Sequence, residues 1–250
     1  VKTTLVEAMD HIMPGFDDEV CSYVEDELME NGIMVLTEER LISIEGDNKV
    51  KKVRTDKRAM KADIIVMAVG IRANTKIASD CGLELETNKT IKVNEYMQTN
   101  DEDIYAVGDC VTVKNILSGK PVWSPMGSSA NKEGRCVAKT ISGEKTPFNG
   151  VLGTGIVKLL NLNAARTELT EKDAKNLGYE VESVIVPIDD KAHYYPDSKM
   201  IIIKIIADKN SKRVLGAQIF GEGHVDKQID IVATAITFNA TIGDLQNLDL

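Results

Sequence analysis

The residues of this chain best suited to chemistry stand at the ends of short apolar runs. Thr99-Asn100-Asp101-Glu102-Asp103 leads into Ile104-Tyr105-Ala106-Val107, and the run stops on Gly108-Asp109. A glycine there lets a ligand approach the backbone closely, and the carboxylate after it can accept hydrogen bonds from a sugar-like hydroxyl. Glu7 closes an earlier run, Thr3-Thr4-Leu5-Val6, and Gly70 closes a third, Asp63-Ile64-Ile65-Val66-Met67-Ala68-Val69. Small residues in Gly127-Ser128-Ser129-Ala130-Asn131 open a helical pattern whose free N–H groups and dipole would favour negative charge. Other chemistries lack their residues. His11, His193 and His224 are scattered, and Cys21, Cys81, Cys110 and Cys136 form neither a CxxC pair nor a zinc-ligand spacing. No GxGxxG occurs, and Gly153-Thr154-Gly155 has no third glycine at the right distance.

Those residues need a scaffold, and the apolar periodicity supplies one. Thr3 to Val6 reads as a strand. Val20, Tyr23, Val24, Leu28 and Met29 recur at helical spacing behind Asp17-Asp18, Asn31-Gly32 ends that helix, and Ile33 to Leu36 completes a β-α-β unit. Leu41–Ile44 and Val50–Val53 flank the turn-rich Glu45-Gly46-Asp47-Asn48, a hairpin signal. The continuous run from Asp63 to Gly70 predicts a strand buried on both faces. A second unit starts near Ile91-Lys92-Val93, passes through a strand at Ile104–Val107 and reaches a helix over Ser128–Ile141, where Ser142-Gly143 and Pro147 mark a boundary. Beyond it, strand-like runs at Thr154–Leu160, Val181–Val186, Ile201–Ile206 and Val214–Phe220 alternate with helical patterns at Thr170–Asn176 and Val225–Phe238, an α+β arrangement.

Composition narrows the classes further. An apolar share of 43% fits a globular chain, and a net charge of −9 argues against nucleic acid or an anionic membrane as partner, since both require clustered Lys and Arg. No run approaches the roughly 18 apolar residues that span a bilayer, and the start lacks the basic and apolar regions of a signal peptide. The expectation is a cytoplasmic protein whose four cysteines are free thiols.

With the spaced Thr99 and Tyr105-Ala106 included, the segment ending in Gly108-Asp109 resembles the second flavin fingerprint of the pyridine nucleotide–disulfide oxidoreductase family. The resemblance covers essentially all 250 residues. It implies an α/β fold made of the distal parts of two Rossmann-like dinucleotide-binding domains followed by an α+β dimerisation domain, with boundaries at 1–80, 81–148 and 149–250. It also implies that Asp109, next to Gly108, binds the ribityl chain of FAD, that Gly70 permits backbone contact with the nicotinamide cofactor, and that Ala130 and Asn131 lie where the helix points at the flavin. Glu7 would then take the ribose hydroxyls of the nicotinamide nucleotide. No Arg or Lys follows in Ala8-Met9-Asp10 to hold a 2′-phosphate, so NADH is preferred to NADPH.

In the last hundred residues, Asn161–Thr167, His193-Tyr194-Tyr195-Pro196 and Gly221–Lys227 are similar to the interface domain of the coenzyme A-disulfide reductase and NADH oxidase branch. In that branch the Tyr-Tyr-Pro segment reaches across a homodimer toward the partner's redox cysteine, which nominates Tyr194 or Tyr195. The resemblance also implies that on the order of 150 further residues precede Val1, carrying the first flavin glycine motif, the redox cysteine and the nicotinamide glycine loop, and that family members continue past Leu250. The expected parent enzyme passes hydride from NADH through FAD to a small-molecule disulfide, such as coenzyme A-disulfide, or to O2 or peroxide. A stable folding and dimerisation module without cofactor is the competing reading.

Overall fold

The computed structural model describes residues 1–249. Two compact units emerge, one made of Val1–Val69 together with Thr154–Leu250, the other of Gly70–Gly153.

The discontinuous unit begins with β1 (Thr4–Val6), α1 (Asp18–Glu30) and β2 (Met34–Leu36). β1 and β2 pair in parallel, Thr4 opposite Met34 and Val6 opposite Leu36, so the β-α-β reading holds. Next come β3 (Leu41–Glu45), β4 (Lys52–Thr55) and β5 (Ala59–Lys61), an antiparallel three-stranded sheet that extends the expected hairpin by one strand. Gly46 is required at its turn, because a Cβ there would lie 2.0 Å from the Lys49 carbonyl oxygen.

The unit from Gly70 holds α2 (Lys76–Asp80), β6 (Ile91–Lys92), β7 (Val111–Lys114), β8 (Pro121–Val122) and α3 (Gly127–Ile141). β7 pairs with β6 in parallel and with β8 antiparallel.

The chain then returns to the first unit through β9 (Gly155–Leu159), β10 (Leu162–Glu168), α4 (Glu171–Asn176), β11 (Val181–Asp189), β12 (Met200–Asp208), β13 (Val214–Gly221), α5 (Val225–Thr237) and α6 (Ile242–Gln246). The five strands form one antiparallel sheet in the order β11-β12-β13-β10-β9. α5 packs across β10 and β13, burying Ile229, Val232 and Ile236.

What makes the first unit discontinuous is α1. Its Val20, Cys21, Val24 and Leu28, one helical stripe, are buried together with Leu162 and Ala164 of β10 and Phe220 of β13. Asp17 precedes the helix but does not cap it. Instead its carboxylate accepts hydrogen bonds from Gln218 Nε2 at 2.7 Å and the Glu171 N–H at 3.1 Å, and its own N–H donates to Gln218 Oε1 at 2.8 Å. Lys204, 1% exposed in the middle of β12, completes the knot with Nζ 2.8 Å from Asp17 and 3.1 Å from Glu171, and a further contact to Glu19. Burial works against the ammonium charge, but the surrounding carboxylates outweigh it and push the Lys204 pKa up.

Two expected strands are corrected. Asp63–Val69 belongs to no strand or helix, and Ile64, Val66 and Val69 are 83%, 86% and 79% exposed. A strand exists only through a neighbour, and among the described residues none pairs with this run. Ile104–Val107 is likewise not a strand. Only the bridge between Gln98 and Tyr105 forms, because the Thr99 and Ile104 N–H groups turn back into local bonds with Ile104 and Asp101.

Glu171 is held at about 2, far below the ordinary 4.5, first by the Lys175 hydrogen bond, with Lys204 and Ser183 adding to it against the burial that opposes them. A carboxylate lowered in the folded state contributes stability that is fully present above its unfolded value and is lost as pH falls from about 4.5 toward 2. Lys204→Met leaves Asp17 and Glu171 without their buried cation, and should cost about 3–5 kcal/mol in urea unfolding at pH 7. It should also shrink the loss of stability below pH 4.5. A variant as stable as the parent would show that the cation is dispensable.

Candidate functional site

The Gly70–Gly153 unit builds a turn over a helix end. Its core gathers Ala78, Ile91, Met97, Val111, Val113, Cys136 and Val151, and this clamps α3 beside the segment that leads into β7. That segment turns at Gly108, whose φ of +84° lies in the left-handed region that favours glycine. A Cβ at Gly108 would meet the Ala130 Cβ at 3.6 Å, so the turn lies against the first turn of α3. The Gly108 N–H donates to Glu133 Oε2 at 2.6 Å, and Trp123 Nε1–H donates to the Asp109 carbonyl at 2.8 Å. The Asp109 side chain is exposed, and its carboxylate makes no hydrogen bond or ion pair among the described residues.

α3 starts at an extended Met126 with no side-chain cap. The Ala130 N–H is already bonded to the Met126 carbonyl at 3.0 Å, which leaves the earlier N–H groups at Gly127, Ser128 and Ser129 as the orphan donors of this helix. Ala130 is half-buried against Gly108, and Asn131 is exposed. An unengaged carboxylate beside an uncapped helix end fits a ligand with hydroxyl donors and a region of developing negative charge, the chemistry of FAD. Thus Gly108 lies against Ala130, with Asp109 next to the one in the turn and Asn131 next to the other on α3.

Glu133 escaped the sequence reading, as did Trp123. Glu133 is 1% exposed, and burial pushes its carboxyl pKa up, with the Gly108 N–H opposing and the Asp109 charge adding to the rise. The only signal was its register. Ser129, Glu133, Cys136 and Thr140 are the buried positions of α3, so Glu133 occupies a site where an apolar residue is the norm.

The remaining candidates lie elsewhere. Glu7 follows β1; its N–H donates to the Leu36 carbonyl at 2.8 Å, and its carboxylate accepts the Met9 N–H at 2.9 Å, folding the chain at the strand tip. Gly70, with φ +89° and open space around it, starts the second unit. Tyr194 and Tyr195 sit at the tip of the β11–β12 hairpin, 75% and 53% exposed, with ring centroids 5.3 Å apart at 27°. Among the described residues, no hydrogen bond or ring contact joins them to Glu7.

All four cysteines are free. Burial pushes the Cys21 thiol up to about 11, with the Glu25, Asp18 and Asp17 charges adding to it, and burial raises Cys110 and Cys136 too. None of these three is an activated thiolate. Among the described residues no group of three or more His, Cys, Asp or Glu side chains could hold a metal ion, and no helix is long and apolar enough to cross a membrane.

The chain thus holds a mixed α/β part with a carboxylate at a glycine turn beside an uncapped helix, followed in sequence by an antiparallel sheet domain. The comparisons supply the class: residues 1–130 match the family described as pyridine nucleotide-disulphide oxidoreductase, and residues 154–248 match its dimerisation domain. The chain belongs to that family.

Among its relatives, the NAD(P)H sulfur oxidoreductase (CoA-dependent) of Pyrococcus furiosus is 37% identical over 235 residues, 94% of this chain and 53% of the relative. The solved NAD-dependent persulfide reductase from A. fulgidus superposes with a TM-score of 0.95 at 40% identity, over 100% of this chain and 47% of that one. An FAD-dependent pyridine nucleotide-disulphide oxidoreductase from Desulfovibrio vulgaris gives a TM-score of 0.85 at 35% identity, over 99% of this chain and 60% of that one. The chain therefore spans about half the length of the relatives it matches.

Thiol labelling at pH 7 should follow exposure and thiolate character. Cys81, the exposed one, should react first and Cys21 last under native conditions, read by mass spectrometry of quenched samples. Rapid labelling of Cys21 would contradict its buried setting.

Proposed function

We propose that this chain is part of an FAD-dependent oxidoreductase that takes hydride equivalents from NADH and delivers them to a sulfur–sulfur bond of a small, coenzyme A-linked disulfide, persulfide or polysulfide. The observation that carries the proposal is the unengaged Asp109 carboxylate, held at a fixed turn against the uncapped start of α3. In this reading 1–80 serves the nicotinamide nucleotide, 81–148 the flavin and 149–250 dimerisation. FAD, when bound, supplies the two-electron carrier between nicotinamide and sulfur.

The chain's own residues bind and orient. Asp109 accepts hydrogen bonds from the ribityl hydroxyls. The N-terminal N–H groups of α3, followed by Ala130 and Asn131, would face the flavin ring and favour negative charge there. Glu7 accepts the ribose hydroxyls of NADH and repels a 2′-phosphate, and Gly70 keeps side-chain bulk away from the nicotinamide cofactor. Tyr194 or Tyr195, exposed on its hairpin, donates a phenolic hydrogen bond across a homodimer toward sulfur in the partner subunit.

The sulfur acceptor is preferred over O2 or peroxide by the names of the P. furiosus and A. fulgidus relatives. The cytoplasm is the fitting compartment for four free thiols.

In the full-length protein, Asp109→Ala should weaken FAD binding about tenfold to a hundredfold, the scale of losing a hydrogen bond to a charged group, measured by flavin fluorescence on titration. Colourless full-length protein that takes up no FAD would falsify the proposal. Glu7→Ala should bring the kcat/KM values for NADH and NADPH closer together, whereas unchanged selectivity removes Glu7 from cofactor choice.

A further inference from the structure

One side chain on α3 is left over by the flavin reading. Glu133 is buried to 1% exposure, pairs with no cation among the described residues, and gives its Oε2 to the Gly108 N–H at 2.6 Å. Three residues before it on the same helix, Ala130 lies in the position that a Gly108 side chain would press against. From the other side Trp123 holds the Asp109 carbonyl at 2.8 Å. The turn is thus gripped at both of its peptide groups, while the Asp109 carboxylate is left clear.

Burying a carboxylate at a core-facing helix position is costly unless its hydrogen bonds are made there. An apolar residue in its place would pack without that cost, but would leave the Gly108 N–H with no acceptor. A glycine with φ +84° also has the widest choice of conformations, so an acceptor for its N–H selects one of them.

We infer that Glu133 is a positioning residue: by accepting the Gly108 N–H from within α3, it sets the Gly108-Asp109 turn against that helix's N-terminal end and thereby fixes where Asp109 presents its carboxylate to the polyhydroxylated chain of a flavin. Glu133 itself is shut off from solvent at 1% exposure, so its role is exerted through the turn. The inference rests on the flavin reading above and adds to it the residue that couples the two flavin-facing elements through a hydrogen bond between a helix and a turn. Its length matters as much as its polarity, because the acceptor oxygen must span from the α3 backbone to the turn.

The test is FAD titration of the deflavinated full-length protein, followed by flavin fluorescence, with circular dichroism and melting of the flavin-free forms as controls. Glu133→Gln keeps an acceptor oxygen at the same reach and should bind FAD within about threefold of the parent. Glu133→Leu keeps bulk without an acceptor, and Glu133→Asp keeps charge on a shorter arm. Both should bind about tenfold more weakly or worse, the order expected for one lost hydrogen bond to a charged group, while their flavin-free circular dichroism stays unchanged. Equal affinity for Glu133→Leu and the parent, or Gln as weak as Leu, overturns the inference and leaves the flavin reading standing. If Glu133→Leu does not fold, the Asp and Gln variants decide by the same comparison: weak Asp with tight Gln supports it, and equal affinities overturn it. A parent that takes up no FAD removes the flavin reading and this inference together.

Discussion

The buried ammonium of Lys204 is the interaction on which the larger unit's connectivity turns. It sits in the central part of a five-stranded sheet with almost no exposure, and the groups around it come from distant parts of the chain: Asp17 and Glu19 at the start of α1, and Glu171 at the start of α4. A buried ion pair is weak ground for net stability, since desolvation offsets much of the attraction. What it imposes is a geometric condition. α1 can lie on the sheet in only one register, with Asp17 over Lys204 and Gln218 and with the apolar stripe of Val20, Val24 and Leu28 over Ala164 and Phe220. A slip would leave the buried Lys204 cation and the buried Asp17 carboxylate without partners.

The same logic, at smaller scale, operates at the candidate flavin site. Two carboxylates far apart in sequence act on the same turn but in opposite settings. Glu133 is shut away, its pKa raised by burial, and engaged with a backbone N–H. Asp109 is exposed and unengaged. Burial separates a carboxylate that shapes the backbone from one that remains available to a ligand. The thiols show the same division: Cys21, Cys110 and Cys136 are driven away from the thiolate by burial and like charge, which suits packing rather than redox chemistry.

Much of the secondary structure was legible because local period and turn chemistry agree with the tertiary outcome. The β-α-β start, the helix over Gly127–Ile141 and the four strand-like runs and two helical patterns of the last hundred residues all fall where periodicity placed them. The third strand at Ala59–Lys61 and the short α2 were not signalled, since neither has enough residues to display a period. Apolar content alone misled at Asp63–Val69. A run of six apolar residues satisfies the strand pattern, but pairing is a property of two segments, and no partner strand lies among the described residues.

By itself the sequence determined the chemistry on offer: a glycine and an aspartate after an apolar run, small residues at a helix start, an acid after the first strand, two adjacent tyrosines before a proline, and no metal-binding spacing. Residue type and short-range spacing suffice for that, because those features depend on neighbours a few positions away. Only the tertiary structure decided that Asp17 clamps a sheet instead of capping its helix, and that residues 1–69 join residues 154–250 in one unit. It alone showed that a glutamate on a core-facing stripe reaches back 25 residues to hold the Gly108 turn. Each of these depends on where a polar group is hidden from water, and burial is set by the whole fold, which no local window of sequence contains.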